Sequence, residues 1–71
     1  MKVSDLPDDL QGRLKKKYVY DFEDEPVEKV VHLLLMTSAK VINETGDIGL
    51  AREYSQLGAD IVKFVKSSKE N

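Results

Sequence analysis

The stretch VEKVVHLLLMTSAKVINE, from Val27 to Glu44, decides the fold. Its apolar residues recur every three or four positions, so on a helix that turns about 100° per residue they share one face. That face comprises Val27, Val30, Val31, Leu34, Leu35, Val41 and Ile42, with Ser38 in its middle. A strand-like alternation fails because Leu33 to Met36 are continuously apolar. The spacing therefore predicts an amphipathic helix over residues 26–44.

A second helix is predicted directly after this one, over residues 48–66. Gly46 suits a left-handed helix end, and Asp47 suits the cap of a following helix. The apolar face of the second helix comprises Leu50, Ala51, Tyr54, Leu57, Gly58, Ile61, Val62, Phe64 and Val65. Because the turn is short, the two helices must run antiparallel, which places Leu34 opposite Gly58. Large residues then face small ones, as close packing requires.

The N-terminal part predicts a short helix over residues 6–17. Pro7 marks its start, and Leu6, Leu10 and Leu14 form one apolar edge. Three lysines, Lys15 to Lys17, favour a helix C-terminus through the helix dipole.

An extended acidic and aromatic linker is predicted over residues 18–25. Tyr18, Tyr20 and Phe22 alternate, as in an extended segment. Three interpretations are open: a connector whose aromatic rings lie on the helices, an edge strand that pairs with a partner or a second copy, or a continuation of the first helix. The five acidic residues between Asp21 and Glu28 follow the basic group, and we expect the two blocks to neutralise each other locally.

Together these elements predict a single all-α domain over residues 1–71. Its centre is a small antiparallel helical hairpin with the short N-terminal helix packed across it, a three-helix arrangement. The polar residues 67–71 are expected to fray.

Composition excludes several classes of protein. The chain has 71 residues and no cysteine, so it has no disulfide, and its core is small. Its formal net charge of −2 argues against a strongly basic nucleic-acid binder. No apolar run approaches the roughly 18 residues of a membrane span, and the N-terminus has no apolar targeting segment. We expect a cytoplasmic protein that does not associate with membranes.

Residues that could carry chemistry lack the partners they would need. His32 has methionine, not histidine, four residues on, and Ser38 has no activating base at a defined spacing. The acidic stretch lacks the ligand pattern of a calcium loop. We therefore expect no catalytic residue, no metal, no cofactor and no small-molecule substrate.

Leu33 and Met36 lie off the main apolar face, roughly opposite its centre. Either the N-terminal segment covers them, or they belong to an interface between chains. With Tyr18, Tyr20 and Phe22 they are the interface candidates. The leading hypothesis is a non-enzymatic protein-interaction or oligomerisation module, a homo-oligomer or a small accessory protein of the kind found in bacteria and phages.

The alternative hypothesis is a nucleic-acid-associated regulator. Its candidate residues are the basic cluster Arg13, Lys15, Lys16 and Lys17, which could contact phosphates. The adjacent acidic block weighs against this alternative.

Overall fold

The fold is given by a computed structural model that describes residues 1–18 and 22–70. Within these residues the chain forms a 3-10 turn, Val3–Asp5, and three helices: α1 (Asp8–Lys17), α2 (Val27–Thr45) and α3 (Ile48–Glu70). The predicted all-α class and the helical hairpin are confirmed. Helix α3 continues to Glu70, so the predicted helix end at residue 66 is four residues too early.

Two residues shape the turn between α2 and α3. Gly46 has a φ of 69°, and its N–H donates to the Ile42 carbonyl oxygen at 3.0 Å, which ends α2 in the left-handed conformation. The Asp47 carboxylate accepts from the Leu50 N–H at 3.0 Å and caps the start of α3. The predicted roles of Gly46 and Asp47 are confirmed.

The register of α2 against α3 is set where Leu34 meets Gly58. A Cβ atom built on Gly58 would lie 3.7 Å from the Leu34 Cβ, so the predicted facing of these residues is confirmed. One turn along α2, the buried Ser38 hydroxyl donates to the Ala51 carbonyl oxygen at 2.7 Å. A buried hydroxyl needs such a partner, so Ser38 joins the two helices as well as filling space between them.

Helix α1 and the N-terminal turn close one side of the hairpin. The core consists of Val3, Leu6, Leu10, Leu14, Val27, Val30, Leu34, Leu57 and Ile61. The first residues run antiparallel to the segment before α2: the N–H groups of Val3 and Val27 donate to the carbonyl oxygens of Glu25 and Met1, each at 3.0 Å. These bonds hold residues 22–26 outside any helix.

The two described ends of the linker decide between the connector and the helix continuation, and the edge strand that pairs with another chain stays a prediction. Tyr18 is extended, with φ −132° and ψ 137°, so continuation of the first helix is wrong. Tyr18 and Phe22 pack on the core, as the connector interpretation predicted. Tyr20 lies outside the described residues.

Two expectations about exposure are wrong. The N-terminal segment does not cover Leu33 and Met36, because it packs against the Val30 and Leu34 side of α2. The helical spacing predicts that Leu35 and Ile42 belong to the packed face of α2, yet their side chains are 50% and 48% exposed. The apolar arc of α2 is wider than α1 and α3 together can cover.

Two glycines that differ in backbone conformation, Gly12 within α1 and Gly46 in the left-handed turn, test this fold. Gly12 lies in α1, and a methyl group added there would have nothing within 4 Å, so Gly12→Ala should raise the free energy of unfolding by about 1 kcal/mol through helix propensity. Gly46→Ala should lower it by about 1 to 2 kcal/mol, because the left-handed conformation strains any L side chain. Urea unfolding followed by circular dichroism measures both. Equal effects of the two substitutions would contradict the assigned backbone conformations.

Candidate functional site

The most distinctive surface is an uncovered apolar side of the α2–α3 hairpin. Helix α2 contributes Val31, Leu35 and Ile42, and α3 contributes Ile48, Ser55, Ala59 and Val62; we call this set the open face. Leu35 and Ile42 are seven residues apart, as are Ile48 and Ser55, and Ser55 and Val62. Seven residues are about two helical turns, so the members of each row lie on one side of their helix. Ile48 is 64% exposed. Exposed aliphatic residues thus continue along both helices.

A groove runs between the two rows of the open face. One part, of about 440 Å³, is lined by residues that include Leu35, Ser55, Gly58 and Ala59. A second part, of about 320 Å³, lies towards the start of α2 and the end of α3. Both parts share Val31, Val62 and Lys66 in their walls, so they form one continuous groove.

Charged residues of opposite sign border this groove. Glu28 lines it on the α2 side, and Lys63 and Lys66 line it on the α3 side. All three residues are exposed. The face therefore has an apolar centre with one acidic and one basic edge near the same end.

Helix α1 is held on the other side of α3 by ion pairs. The Arg13 guanidinium lies 2.8 Å from the Asp60 carboxylate, and the Lys17 ammonium lies 3.1 Å from that of Glu53. Lys17 also lies 5.3 Å from the centre of the Tyr54 ring. Hydrogen bonds from Arg13 and Gln56 hold the pKa of the Asp60 carboxyl below its ordinary value. These contacts fix α1 away from the open face.

The basic cluster predicted for nucleic acid is only partly assembled. Arg13, Lys16 and Lys17 line a groove of about 430 Å³ between α1 and α3, together with Arg52, which sequence reasoning missed. Lys15 is absent from its lining, and its ammonium lies 4.0 Å from Glu23. Among the ion pairs of the described residues, Lys15–Glu23 joins the two neighbouring charge blocks, whereas Arg13 and Lys17 pair with α3 instead.

The described aromatic candidates are packing residues. Tyr18 meets Phe22 edge-on with ring centres 5.4 Å apart, and it meets Tyr54 at 5.9 Å. The Tyr18 hydroxyl donates to Thr37 Oγ1 at 2.7 Å, and burial raises the pKa of this phenol. Through these contacts Tyr18 connects the start of the linker to α2 and to α3.

Leu33 and Met36 lie on α2 outside the open face, and they are 36% and 58% exposed. Sequence periodicity did not identify Leu35, Ile42 and Ile48 as surface residues. The signal available for them was the width of the apolar arc on α2: it spans more of the helix than a single neighbouring helix covers.

Among the described residues, no group of three His, Asp or Glu side chains is placed to hold a metal ion. Every buried polar side-chain atom in this part of the chain has a hydrogen-bond partner. His32 is exposed.

Comparison with protein-family models, with curated proteins and with solved structures finds no match to this chain. In the described part of the chain, none of the helices combines the length and apolarity needed to cross a membrane.

The Arg13–Asp60 pair makes stability depend on pH. Because the folded-state pKa of Asp60 is lowered, its contribution is present above the ordinary pKa of 3.8 and is lost as the pH falls through the folded value. Asp60→Asn should therefore be less stable than the wild type at pH 7, and the difference should shrink below about pH 4. Urea unfolding of both proteins across this range measures it. A difference that is constant with pH would contradict the ion pair.

Proposed function

We propose that this chain is a non-enzymatic protein-interaction module that associates with a second copy of itself through the open face. The observation that carries the proposal is the continuous apolar groove lined by Leu35, with Ile42 and Ile48 exposed further along the two helices. Burial of aliphatic surface is the main favourable term in protein association, at about 25 cal/mol per Å². Exposed apolar side chains that adjoin a groove are typical of an interaction site.

The borders of the face support a second copy as the partner. An interface between identical chains uses the same patch twice, so the patch must complement itself. Here the α2 edge carries Glu28 and the α3 edge carries Lys63 and Lys66, so each edge attracts the other edge of a second chain. Side-chain size is complementary in the same way. The α2 row contains the larger Leu35, and the centre of the α3 row contains the small Ser55 and Ala59.

The small core supports the same proposal. A chain of 71 residues buries only about 60% of the surface that its unfolded form exposes. It has no cysteine to add a disulfide. Packing the open face against a second chain would extend the core of each protomer through the uncovered side of its hairpin.

Adjacent residues of α2 provide a matched test. Leu35→Lys places a charge in the groove and should raise the dissociation constant of the homodimer by roughly 100-fold or more. Met36→Lys is the control, because Met36 is similarly exposed at 58% but lies outside the open face, and it should leave the constant unchanged. Light scattering on a size-exclusion column over a wide concentration range measures the mass, and circular dichroism checks that both variants fold.

Two results would overturn the proposal. One is a wild-type chain that stays monomeric at every concentration. The other is a homodimer that Met36→Lys dissociates and Leu35→Lys does not, which would place the interface on the Leu33 and Met36 side of α2.

A second candidate function is association with nucleic acid. The groove between α1 and α3 favours it, because Arg13, Lys16, Lys17 and Arg52 line it together. Against it, Asp60 and Glu53 neutralise Arg13 and Lys17, which leaves Lys16 and Arg52 as the charges in excess. The proposal of self-association therefore ranks first.

Charge reversal in this groove tests the second candidate. Lys16→Glu combined with Arg52→Glu should abolish binding to mixed single-stranded RNA and DNA, measured by fluorescence anisotropy at low salt. Lys40→Glu, an exposed change on α2 away from that groove, is the control and should weaken binding little. Binding that does not fall with added salt, or that the double variant retains, would exclude this function.

A further inference from the structure

We infer that the two copies pair about a two-fold axis parallel to their helices, so that α2 of each lies on α3 of the other and both α2–α3 turns lie at the same end. This inference rests on the proposed self-association and specifies its geometry. A face made of two antiparallel helices has one simple alternative, an axis across the helices. That alternative places α2 on α2 and α3 on α3, with the turns at opposite ends.

Side-chain size favours α2 on α3. The α2 row presents the larger side chains, Leu35 above all, and the centre of the α3 row presents Ser55 and Ala59. An axis parallel to the helices keeps each residue at its own height, so Leu35 of one copy meets the other copy between the levels of Ser55 and Ala59. The register follows from the hairpin itself, in which Leu34 lies beside Gly58. The crosswise axis would set large residues against large ones and leave a gap between the small ones.

Charge favours the same arrangement. With α2 on α3, Glu28 of each copy lies at the level of Lys63 and Lys66 of the other, and the contact occurs twice. With the crosswise axis, Glu28 would lie over α2 of the partner, away from Lys63 and Lys66, so both attractions would be lost.

The resulting dimer contains a four-helix bundle, made of two hairpins packed face to face, in which each helix has antiparallel neighbours. Helix α1 of each copy stays on the outside, because Leu10 and Leu14 pack into the core on the far side of the hairpin. The open face is thereby covered without displacement of any contact in the protomer.

Two single variants that carry opposite charge changes test the arrangement. Glu28→Lys gives a homodimer with lysine on both sides of each contact, and Lys66→Glu gives one with glutamate on both sides. Each should weaken homodimerisation by roughly tenfold at low salt. When the two proteins are mixed, every contact becomes attractive again, so heterodimers should predominate well beyond the statistical half in native mass spectrometry.

The mixing experiment separates a contact between chains from one within a chain, because only the former produces a preference for the heterodimer. Lys40→Glu mixed with Glu28→Lys is the control and should form heterodimers without that preference. A wild-type dimer whose two variants show no heterodimer preference would overturn the arrangement and leave the self-association intact. A wild-type monomer would overturn the proposed function itself.

Cysteine pairs give an independent readout, since the natural chain has none. Ala39 is exposed on α2 one turn after Leu35, and it lies within one helical turn of the height of Ser55 on α3. A mixture of Ala39→Cys and Ser55→Cys proteins should therefore form the mixed disulfide faster than either protein forms its own. Faster formation of the Ser55→Cys homodisulfide would instead indicate the crosswise axis and overturn the arrangement.

Discussion

The close contact of α2 with α3 is the constraint on which the rest of the structure depends. Leu34 lies against Gly58, and one turn further along the Ser38 hydroxyl binds the Ala51 carbonyl oxygen. These contacts fix the helices in one register, because a shift by one residue would separate the hydrogen-bonding atoms. The position of α1, the rows of the open face and the charges at its edges all follow from that register.

Much of this hairpin could be predicted from the sequence, because the relevant signals are local. Gly46 and Asp47 end one helix and begin the next, and the spacing of Leu34 and Gly58 gives the facing pair. The exposure of Leu35 and Ile42 could not be predicted in the same way. Periodicity tells which residues share a helix face, but not how much of that face other helices cover. The covered width depends on the position of α1, which is fixed by contacts distant in sequence, such as Arg13 with Asp60.

The candidate surfaces show the same limit. Tyr18 looked available because its partners, Tyr54 and Thr37, are far away in the sequence. The basic cluster looked continuous because neighbouring lysines were counted together, whereas a helix directs Lys15 and Lys16 to different sides. In each case the chain neighbours are a poor guide to the neighbours in space.

The packing of α1 on α3 also has a consequence for how the protein is made. Leu10 and Leu14 belong to the same core as Leu57 and Ile61, so α1 has packing partners in α3, which is synthesised later. A chain emerging from the ribosome can form the hairpin only after α3 is available, and α1 can dock only after that. The core therefore closes only once α3 has been made, and until then the leucines of α1 are exposed to solvent unless chaperones bind them.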